Sequence, residues 1–174
     1  MAPGRRDALI LGSVGLAAAG AGAMVGVLGL QWRSGAAELL AARFVDLEGR
    51  PRRLLEWQGR ALLCNFWATW CAPCREEIPL FVAAKQHLPG NRIEIAGIGI
   101  DHAEKIREFV KIYKINYPVL VGDATAIELM RALGNRQGGL PFTVLLDARG
   151  AVVKSWLGAL TRQDLDGILA GFPR

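Results

Sequence analysis

The chain has 174 residues, of which 52% are hydrophobic and 21% charged. This composition allows one ordinary globular domain with an appendage and excludes a disordered or fibrous protein. The formal net charge is +5, but without Arg5, Arg6, Asp7 and Arg33 the chain keeps 18 basic against 15 acidic side chains, or +3. Because these charges are not clustered, we expect no binding to nucleic acid.

The N-terminal segment contains a long uncharged run, from Ala8 to Leu30. As a helix rising about 1.5 Å per residue, the run reaches the roughly 30 Å thickness of a membrane core. Arg5 and Arg6 before it favour an N-terminus held in the cytoplasm. Residues 1–30 are therefore predicted to be a membrane anchor. A cleaved export signal stays open as the alternative, because Ala19–Ala21 offers an A-x-A-like cleavage site.

Residues 31–43 are typical of a linker with some helical character, and the folded domain is expected to span residues 44–174. Apolar periodicity and turn residues predict its elements. In chain order these are a hairpin of Phe44–Leu47 and Arg53–Leu55, a strand Ala61–Trp67, a helix Ala72–Leu88, a strand Ile93–Ile100, a helix after a capping box Asp101–Glu104, a strand Pro118–Val121, a helix Thr125–Leu133, a hairpin of Pro141–Leu146 and Ala151–Leu157, and a helix Thr161–Gly171. Strands that alternate with helices predict an α/β fold with a parallel-rich sheet, covered on both faces and finished by an antiparallel pair.

Two cysteines, Cys71 and Cys74, stand where the predicted strand Ala61–Trp67 gives way to a helix. The first amides of a helix lack internal partners and carry partial positive charge, so they favour a thiolate at Cys71. The i, i+3 spacing lets Cys74 attack a mixed disulfide formed through Cys71. Pro73 suits the first helical turn because it has no N–H to satisfy. The pair is therefore predicted to be a redox-active disulfide.

Other readings of the cysteines stay open. A static structural disulfide is one, although such bridges usually close longer loops. A zinc site needs further ligands, and the chain offers only Cys64, His87 and His102. We expect Cys64 to be a buried inert thiol and both histidines to lie on the surface, so no metal site is predicted. Transient Cu(I) binding by the two thiolates of the pair remains a minor hypothesis.

The segment Phe66–Pro79, which reads FWATWCAPCREEIP, resembles the active site of the TlpA/ResA-like group of thioredoxin-fold proteins. These are membrane-tethered or exported bacterial thiol-disulfide oxidoreductases. Gly139-Leu140-Pro141 before a strand is similar to the group's cis-proline loop, and the resemblance covers Phe44–Phe172. It implies a thioredoxin-like fold with a central α-β insertion over Ala103–Val121, preceded here by the N-terminal hydrophobic helix.

The resemblance also implies roles for single residues. A cis Leu140–Pro141 bond would face the cysteine pair and expose the Leu140 backbone to an extended client segment. An ordinary trans proline that starts an edge strand is the alternative. Glu77 matches a glutamate thought to tune the thiols in ResA-like members. A solvated surface position for Glu77 is the alternative. Thioredoxin itself has a buried Asp where this chain has Asn65, which cannot take part in acid–base chemistry.

Aromatic and proline residues around the cysteine pair have further expected roles. Trp70 precedes the nucleophile and is either an exposed wall of the client groove or a cap over the fold. We place Trp70 and Pro73 with Leu140 and Pro141 among the candidate client-binding residues. Trp67 is expected in the core, and Pro79 is expected to kink the helix without ending it.

Together these features predict an exported thiol-disulfide oxidoreductase on the periplasmic side of a bacterial inner membrane, which needs no cofactor. The resemblance implies that it reduces disulfides in exported clients, either apocytochrome c or copper-site proteins of oxidase assembly, and that a membrane electron donor of the thiol-reducing type keeps it reduced. The alternative is a Cu(I) carrier that uses the same two cysteines. A peroxidase is disfavoured because the attacking cysteine lies within a CxxC pair.

Overall fold

The computed structural model describes residues 35–88 and 92–172. The expected anchor or signal over residues 1–30 lies outside this part of the chain, so it stays a prediction. Within the described ranges, no helix is both long and apolar enough to cross a membrane.

In the described part of the chain, seven strands and the helices between them follow the order expected from the sequence. The strands are β1 Phe44–Asp46, β2 Pro51–Arg52, β3 Ala61–Trp67, β4 Ile93–Gly99, β5 Val119–Val121, β6 Phe142–Leu146 and β7 Val152–Leu157. The helices are α1 over residues 35–41, α2 Ala72–Lys85, α3 Ala103–Ile112, α4 Ala124–Ala132 and α5 Arg162–Ala170, with a 3-10 turn at Leu54–Trp57.

All seven strands form one sheet in the order β2-β1-β5-β4-β3-β6-β7. Only β3/β4 and β4/β5 pair in parallel, whereas the other pairings described are antiparallel. The expectation of a parallel-rich sheet was therefore wrong. The predicted insertion is present as α3 and β5, and β5 extends the sheet beyond β4. Its strand also gives β1 a partner, which adds the N-terminal hairpin to the sheet.

The core has two layers because side chains of β3 alternate between the two faces of the sheet. All seven residues of β3 are buried, as predicted for a central strand. On one face, Leu62, Cys64 and Phe66 pack with residues of α1 and α4. On the other face, Leu63 and Trp67 pack with residues of α2, α3 and α5.

Helix α1 packs into the first of these layers. Ala36 and Leu39 are 3% and 0% exposed, and a Cβ added at Gly35 would lie 2.8 Å from the carbonyl oxygen of Ala132. Helix α4 therefore approaches α1 closely where α1 has no side chain. The packed core includes part of the segment 31–43 that was expected to be a linker, because apolar residues at helical spacing cover the sheet there.

Two local expectations were wrong. The second hairpin strand ends at Arg52, and residues from Leu54 form a 3-10 turn, which buries Leu54 and Trp57 at i, i+3 spacing. The predicted capping box before α3 is absent, because His102 is the N-cap and makes no side-chain cap hydrogen bond. The Asp101 carboxylate instead accepts hydrogen bonds from the His102 amide and the Thr69 hydroxyl.

Candidate active site

The two cysteines of the CxxC segment lie at the start of α2 and form a disulfide with a Cα–Cα distance of 5.3 Å. Cys71 is the N-cap, and its sulfur accepts a hydrogen bond from the Cys74 amide at 3.3 Å. Pro73 lies in the first turn, where its missing N–H costs nothing. Cys71 is 5% exposed and Cys74 is fully buried. The amide and the helix dipole both favour negative charge on Cys71 after reduction.

The peptide bond between Leu140 and Pro141 is cis. Pro141 directly precedes β6, and Phe142 of β6 pairs with Phe66, one residue before the end of β3. The cis-proline loop therefore lies at the same end of the sheet as the cysteine segment that follows β3. Contacts within the fold support the backbone of this loop.

That support comes from Asn135, which is 3% exposed beyond the end of α4. Its side-chain amide donates a hydrogen bond to the Gly139 carbonyl at 2.8 Å and accepts one from the Gly139 amide at 3.1 Å. At the other side of the proline, the Gly158 amide donates to the Pro141 carbonyl at 2.9 Å. The backbone on both sides of Leu140 is therefore held in place.

Glu77 lies on α2 one turn after Cys74 and is only 1% exposed, so the solvated alternative is excluded. One carboxylate oxygen, Oε1, accepts a hydrogen bond from Asn65 Nδ2 at 2.8 Å. The other, Oε2, accepts one from the Leu160 amide at 2.9 Å. Burial raises the pKa of Glu77 to about 7, although the two hydrogen bonds act to lower it. A carboxyl group with this pKa can take up or release a proton near neutral pH.

Asn65 extends the polar contacts of Glu77 across the sheet. It is fully buried, and its Nδ2 also donates to the Thr143 hydroxyl at 2.9 Å. Asn65 and Thr143 are directly paired residues of β3 and β6. Tyr117 is also buried, and burial together with the charge of Glu77 raises the pKa of its hydroxyl. The phenol of Tyr117 therefore stays neutral throughout the physiological range.

Sequence relatives agree with this site. The sequence model of the AhpC/TSA family matches residues 36–156. The thiol-disulfide oxidoreductase ResA of Bacillus cereus is 33% identical over 126 residues, which cover 71% of this chain and 70% of that protein. The ResA of Bacillus subtilis is 30% identical over 117 residues, which cover 67% and 63% of the two chains. This chain belongs to the AhpC/TSA family and is a ResA-like thiol-disulfide oxidoreductase.

Solved structures support the same assignment. A thiol:disulfide interchange protein of the thioredoxin family from Chlorobium tepidum matches this oxidoreductase with a TM-score of 0.64 and 30% identity, covering 75% of this chain and 91% of that one. A thioredoxin-related protein from Neisseria meningitidis matches with a TM-score of 0.66 and 26% identity, covering 73% and 96%. The predicted thioredoxin-like fold is therefore confirmed.

The third cysteine of the oxidoreductase, Cys64, is a free thiol with no exposed surface, as expected. Burial raises its pKa far above the usual range of a thiol, which leaves it protonated and inert. His87 and His102 are exposed, again as expected. Within residues 35–88 and 92–172, no group of three or more His, Cys, Asp or Glu side chains is arranged to hold a metal ion.

The aromatic and proline predictions near the pair can also be placed. Trp67 is fully buried, as expected, whereas Trp70 is 68% exposed and so does not cap the fold. Pro73 is exposed, and Leu140 is half-buried. Pro79 lies inside α2, which continues to Lys85. The client-binding roles of Trp70, Pro73, Leu140 and Pro141 stay predictions.

Sequence reasoning missed three contributors to the site. Thr143 was detectable as the one hydroxyl in an otherwise apolar strand, and Asn135 as a polar residue shortly before the Gly139-Leu140-Pro141 motif. The Leu160 amide had no signal at all, because it is a backbone group that reaches Glu77 across 83 positions of the chain. Such contacts depend on the tertiary fold alone.

Proposed function

We propose that this oxidoreductase reduces disulfides in exported client proteins, with Cys71 as the attacking thiolate and Cys74 as the resolving thiol. The observation that carries the proposal is the asymmetry of the pair. The Cys71 sulfur lies at the helix N-cap and accepts an amide hydrogen bond, and the residue keeps 5% of its surface exposed, whereas Cys74 has no exposed surface. Only the first sulfur meets both requirements of a nucleophile, charge stabilisation and access.

The exchange proceeds in two steps. The Cys71 thiolate attacks one sulfur of the client disulfide, and the other client sulfur leaves as a thiolate. Cys74 then gives up its proton, and its thiolate attacks the Cys71 sulfur of the mixed disulfide. The second client sulfur leaves, and two electrons have passed from the enzyme to the client. The product is the Cys71–Cys74 disulfide, which is the state seen in the structure.

Glu77 supplies the base for the second step. The Cys74 thiol is buried and therefore needs a nearby acceptor for its proton before it can attack. Glu77 lies one helical turn away and is itself buried, and its pKa of about 7 lets it accept this proton and later release it near neutral pH.

The proposed setting is the periplasmic face of a bacterial inner membrane. The uncharged run Ala8–Leu30 after Arg5 and Arg6 supports membrane attachment with the domain on the far side. In that oxidising compartment the reduced pair must be regenerated by a membrane electron donor of the thiol-reducing type. The proposed clients are apocytochrome c before haem attachment or copper-site proteins during oxidase assembly, whose cysteines must be reduced before they bind their cofactors.

Trapping experiments test the roles of the two cysteines. In the native host, full-length Cys74→Ser is expected to accumulate mixed disulfides through Cys71, because the resolving thiol is missing. Full-length Cys71→Ser is expected to trap none. Mass spectrometry of the adducts identifies the clients. Equal trapping by both variants would show that the roles are assigned wrongly.

The direction of electron flow is tested separately, by equilibrating the pair with a thiol redox buffer. A reductant should have a reduction potential close to that of thioredoxin, which is about −270 mV. A value near about −120 mV is typical of a strong disulfide-forming oxidant, and would overturn the proposed direction while leaving the exchange chemistry intact.

The Cu(I)-carrier alternative uses the same two sulfurs, because a Cu(I) ion accepts two thiolate ligands. A Cu(I) titration of the reduced wild type and of Cys74→Ser, run beside an insulin-reduction assay, separates the two functions. Weak Cu(I) binding with strong insulin reduction excludes the carrier, whereas tight binding that requires both cysteines with little insulin reduction would replace the reductase proposal.

A further inference from the structure

The two polar atoms of the Asn65 side chain on β3 differ in their hydrogen bonding. Its Nδ2 donates to both Glu77 and Thr143, at 2.8 Å and 2.9 Å. Its Oδ1 is buried and has no hydrogen-bond partner among the described residues. Buried polar atoms are almost always hydrogen-bonded, so a carbonyl oxygen without a partner in a polar cluster calls for an explanation.

The surroundings of Glu77 supply one. Both of its carboxylate oxygens face N–H donors, Asn65 Nδ2 on one side and the Leu160 amide on the other. This arrangement suits the ionised carboxylate, which only accepts hydrogen bonds. A protonated carboxyl group can still accept from both N–H donors, but it adds an O–H for which neither donor is an acceptor. To pair this buried O–H, one of the two neighbours of Glu77 has to change.

Only one neighbour is able to change. The Leu160 amide belongs to the backbone just before the N-cap of α5 and cannot reverse its direction. The Asn65 side-chain amide can flip by about 180° around χ2. The flip exchanges the positions of Oδ1 and the NH2 group, which are nearly equal in size. After this rotation, Oδ1 faces Glu77 and Thr143 in the place of Nδ2.

We propose that Asn65 is a positioning residue that rotates when Glu77 takes up a proton, so that the proton resides on the carboxyl oxygen facing Asn65 and is donated to Asn65 Oδ1. The Thr143 hydroxyl accepts from Nδ2 before the rotation and donates to Oδ1 after it. Asn65 makes two hydrogen bonds in both states, which is possible because a hydroxyl and a carboxyl group can each reverse their roles. The inference rests on the proposed role of Glu77 as acceptor of the Cys74 proton.

The proton count is simple. One proton leaves the Cys74 sulfur and binds to Glu77, and the amide of Asn65 turns without gaining or losing a proton. Among the described residues, Tyr117 also interacts with the charge of Glu77, and its raised pKa keeps it out of this exchange. Cys71 is joined to Cys74 in the oxidised enzyme and to the client in the mixed disulfide, so it does not titrate in either state.

An asparagine is the side chain that suits this position. A carboxylate at residue 65 would repel the ionised Glu77, and a leucine would offer neither a donor to the charged form nor an acceptor to the neutral form. Because a hydrogen bond to an ionised carboxylate is stronger than one to a neutral carboxyl group, Asn65→Leu should raise the pKa of Glu77 by about one, or roughly tenfold in the protonation equilibrium.

Infrared difference spectroscopy of the full chain tests the rotation directly. The oxidised protein, in which neither active-site cysteine titrates, is labelled with 13C at the asparagine side-chain carbonyl and titrated through the pKa of Glu77, about 7. We expect the carboxyl band of neutral Glu77 and a shift of one asparagine carbonyl band to lower frequency, with the same midpoint. The shift follows because Oδ1 gains two hydrogen bonds. A Glu77 band that titrates while no asparagine band moves would overturn the proposal.

Variants assign the bands. Glu77→Gln should abolish both changes, Asn65→Leu should remove only the asparagine shift, and Thr143→Val should reduce that shift because one donor is lost. Thr143→Val also serves if Asn65→Leu does not fold. Cys64→Ala is the matched control, since it lies next to Asn65 on β3 but faces the opposite layer, and both changes should persist.

The same variants separate this inference from the proposed function. If Glu77→Gln leaves the rate of disulfide exchange unchanged, Glu77 is not the base in the reaction. The rotation of Asn65 would then not accompany proton transfer from Cys74. The asparagine band is read without turnover, so an unmoved band in an enzyme whose activity does depend on Glu77 refutes the rotation alone.

Discussion

Two buried cysteines on the two faces of the sheet, Cys64 and Cys74, illustrate what makes a thiol reactive in this fold. Both have no exposed surface. Cys64 lies in the middle of β3 between Ala96 and Val144, with apolar neighbours from the layer of α1 and α4. Cys74 lies in the first turn of α2, bonded to the N-cap sulfur and one turn from a buried carboxylate.

The difference shows that burial alone does not decide the chemistry of a cysteine here. An apolar environment raises the pKa of Cys64 and leaves its proton with no acceptor. The layer on the opposite face is also buried, but it contains Glu77, Asn65 and Thr143 in one hydrogen-bonded group. The layer around Cys64 is therefore apolar, whereas the layer around Cys74 also holds hydrogen-bonded polar side chains.

The largest expected effect contrasts the cysteines themselves. Cys71→Ala should lower the rate of client-disulfide reduction at least about a thousandfold, because the nucleophile is gone. Cys64→Ala should keep the rate within about twofold and lower the free energy of unfolding by about 1 kcal/mol, through the small cavity it leaves. Insulin reduction and urea unfolding measure the two quantities. Loss of activity in Cys64→Ala would show that the layer around Cys64 also contributes to the reaction.

Glu77 should make stability depend on pH. The folded protein holds the Glu77 proton up to about pH 7, whereas the unfolded chain releases it near the ordinary value of 4.5. The free energy of unfolding should therefore fall as pH rises between these values, by roughly 3 kcal/mol, and level off above them. Urea unfolding of the oxidised protein at a series of pH values measures this slope.

The matched variants for this slope are neighbours on α2. Glu77→Gln should remove it, because the amide does not titrate. Glu76→Gln should keep it, since Glu76 is exposed on the outer face of the helix. A slope that survives in Glu77→Gln would place its origin elsewhere in the chain.

A smaller effect is expected at Asn135, which holds the cis-proline loop. Asn135→Ala removes both hydrogen bonds to Gly139 and should lower the free energy of unfolding by about 1–3 kcal/mol. If the loop binds client backbone, kcat/KM for a protein client should fall about tenfold more than the rate with a small aromatic disulfide. Equal losses with both substrates would show that the loop only stabilises the fold.

The smallest effect is expected at Trp70. Because its side chain is 68% exposed, Trp70→Ala should change the free energy of unfolding by less than about 0.5 kcal/mol. If Trp70 forms a wall of the client groove, kcat/KM for a protein client should fall several-fold through KM. Unchanged kinetics with insulin would remove Trp70 from the client-binding surface.

The sequence predicted the elements that carry the site with small errors at their ends. Continuous apolar character predicted β3 at its full extent, and α2 begins at the predicted residue because its first turn carries its own signals. The errors occurred where distant contacts override local pattern. Asp101 accepts a hydrogen bond from Thr69 instead of capping α3, and Leu54 turns inward in a 3-10 turn where the strand Arg53–Leu55 was expected.

The sequence by itself determined the reactive pair and its location, because the spacing of the cysteines and the start of a helix are local properties of the chain. Only the tertiary structure decided the fate of Glu77. Its neighbours in the sequence are equally compatible with an exposed or a buried carboxylate. In the fold, Glu77 is brought together with its hydrogen-bond partners, Asn65 on β3 and the Leu160 backbone before α5. Acid–base properties depend on desolvation and on such distant partners, so they follow from packing and not from the local sequence.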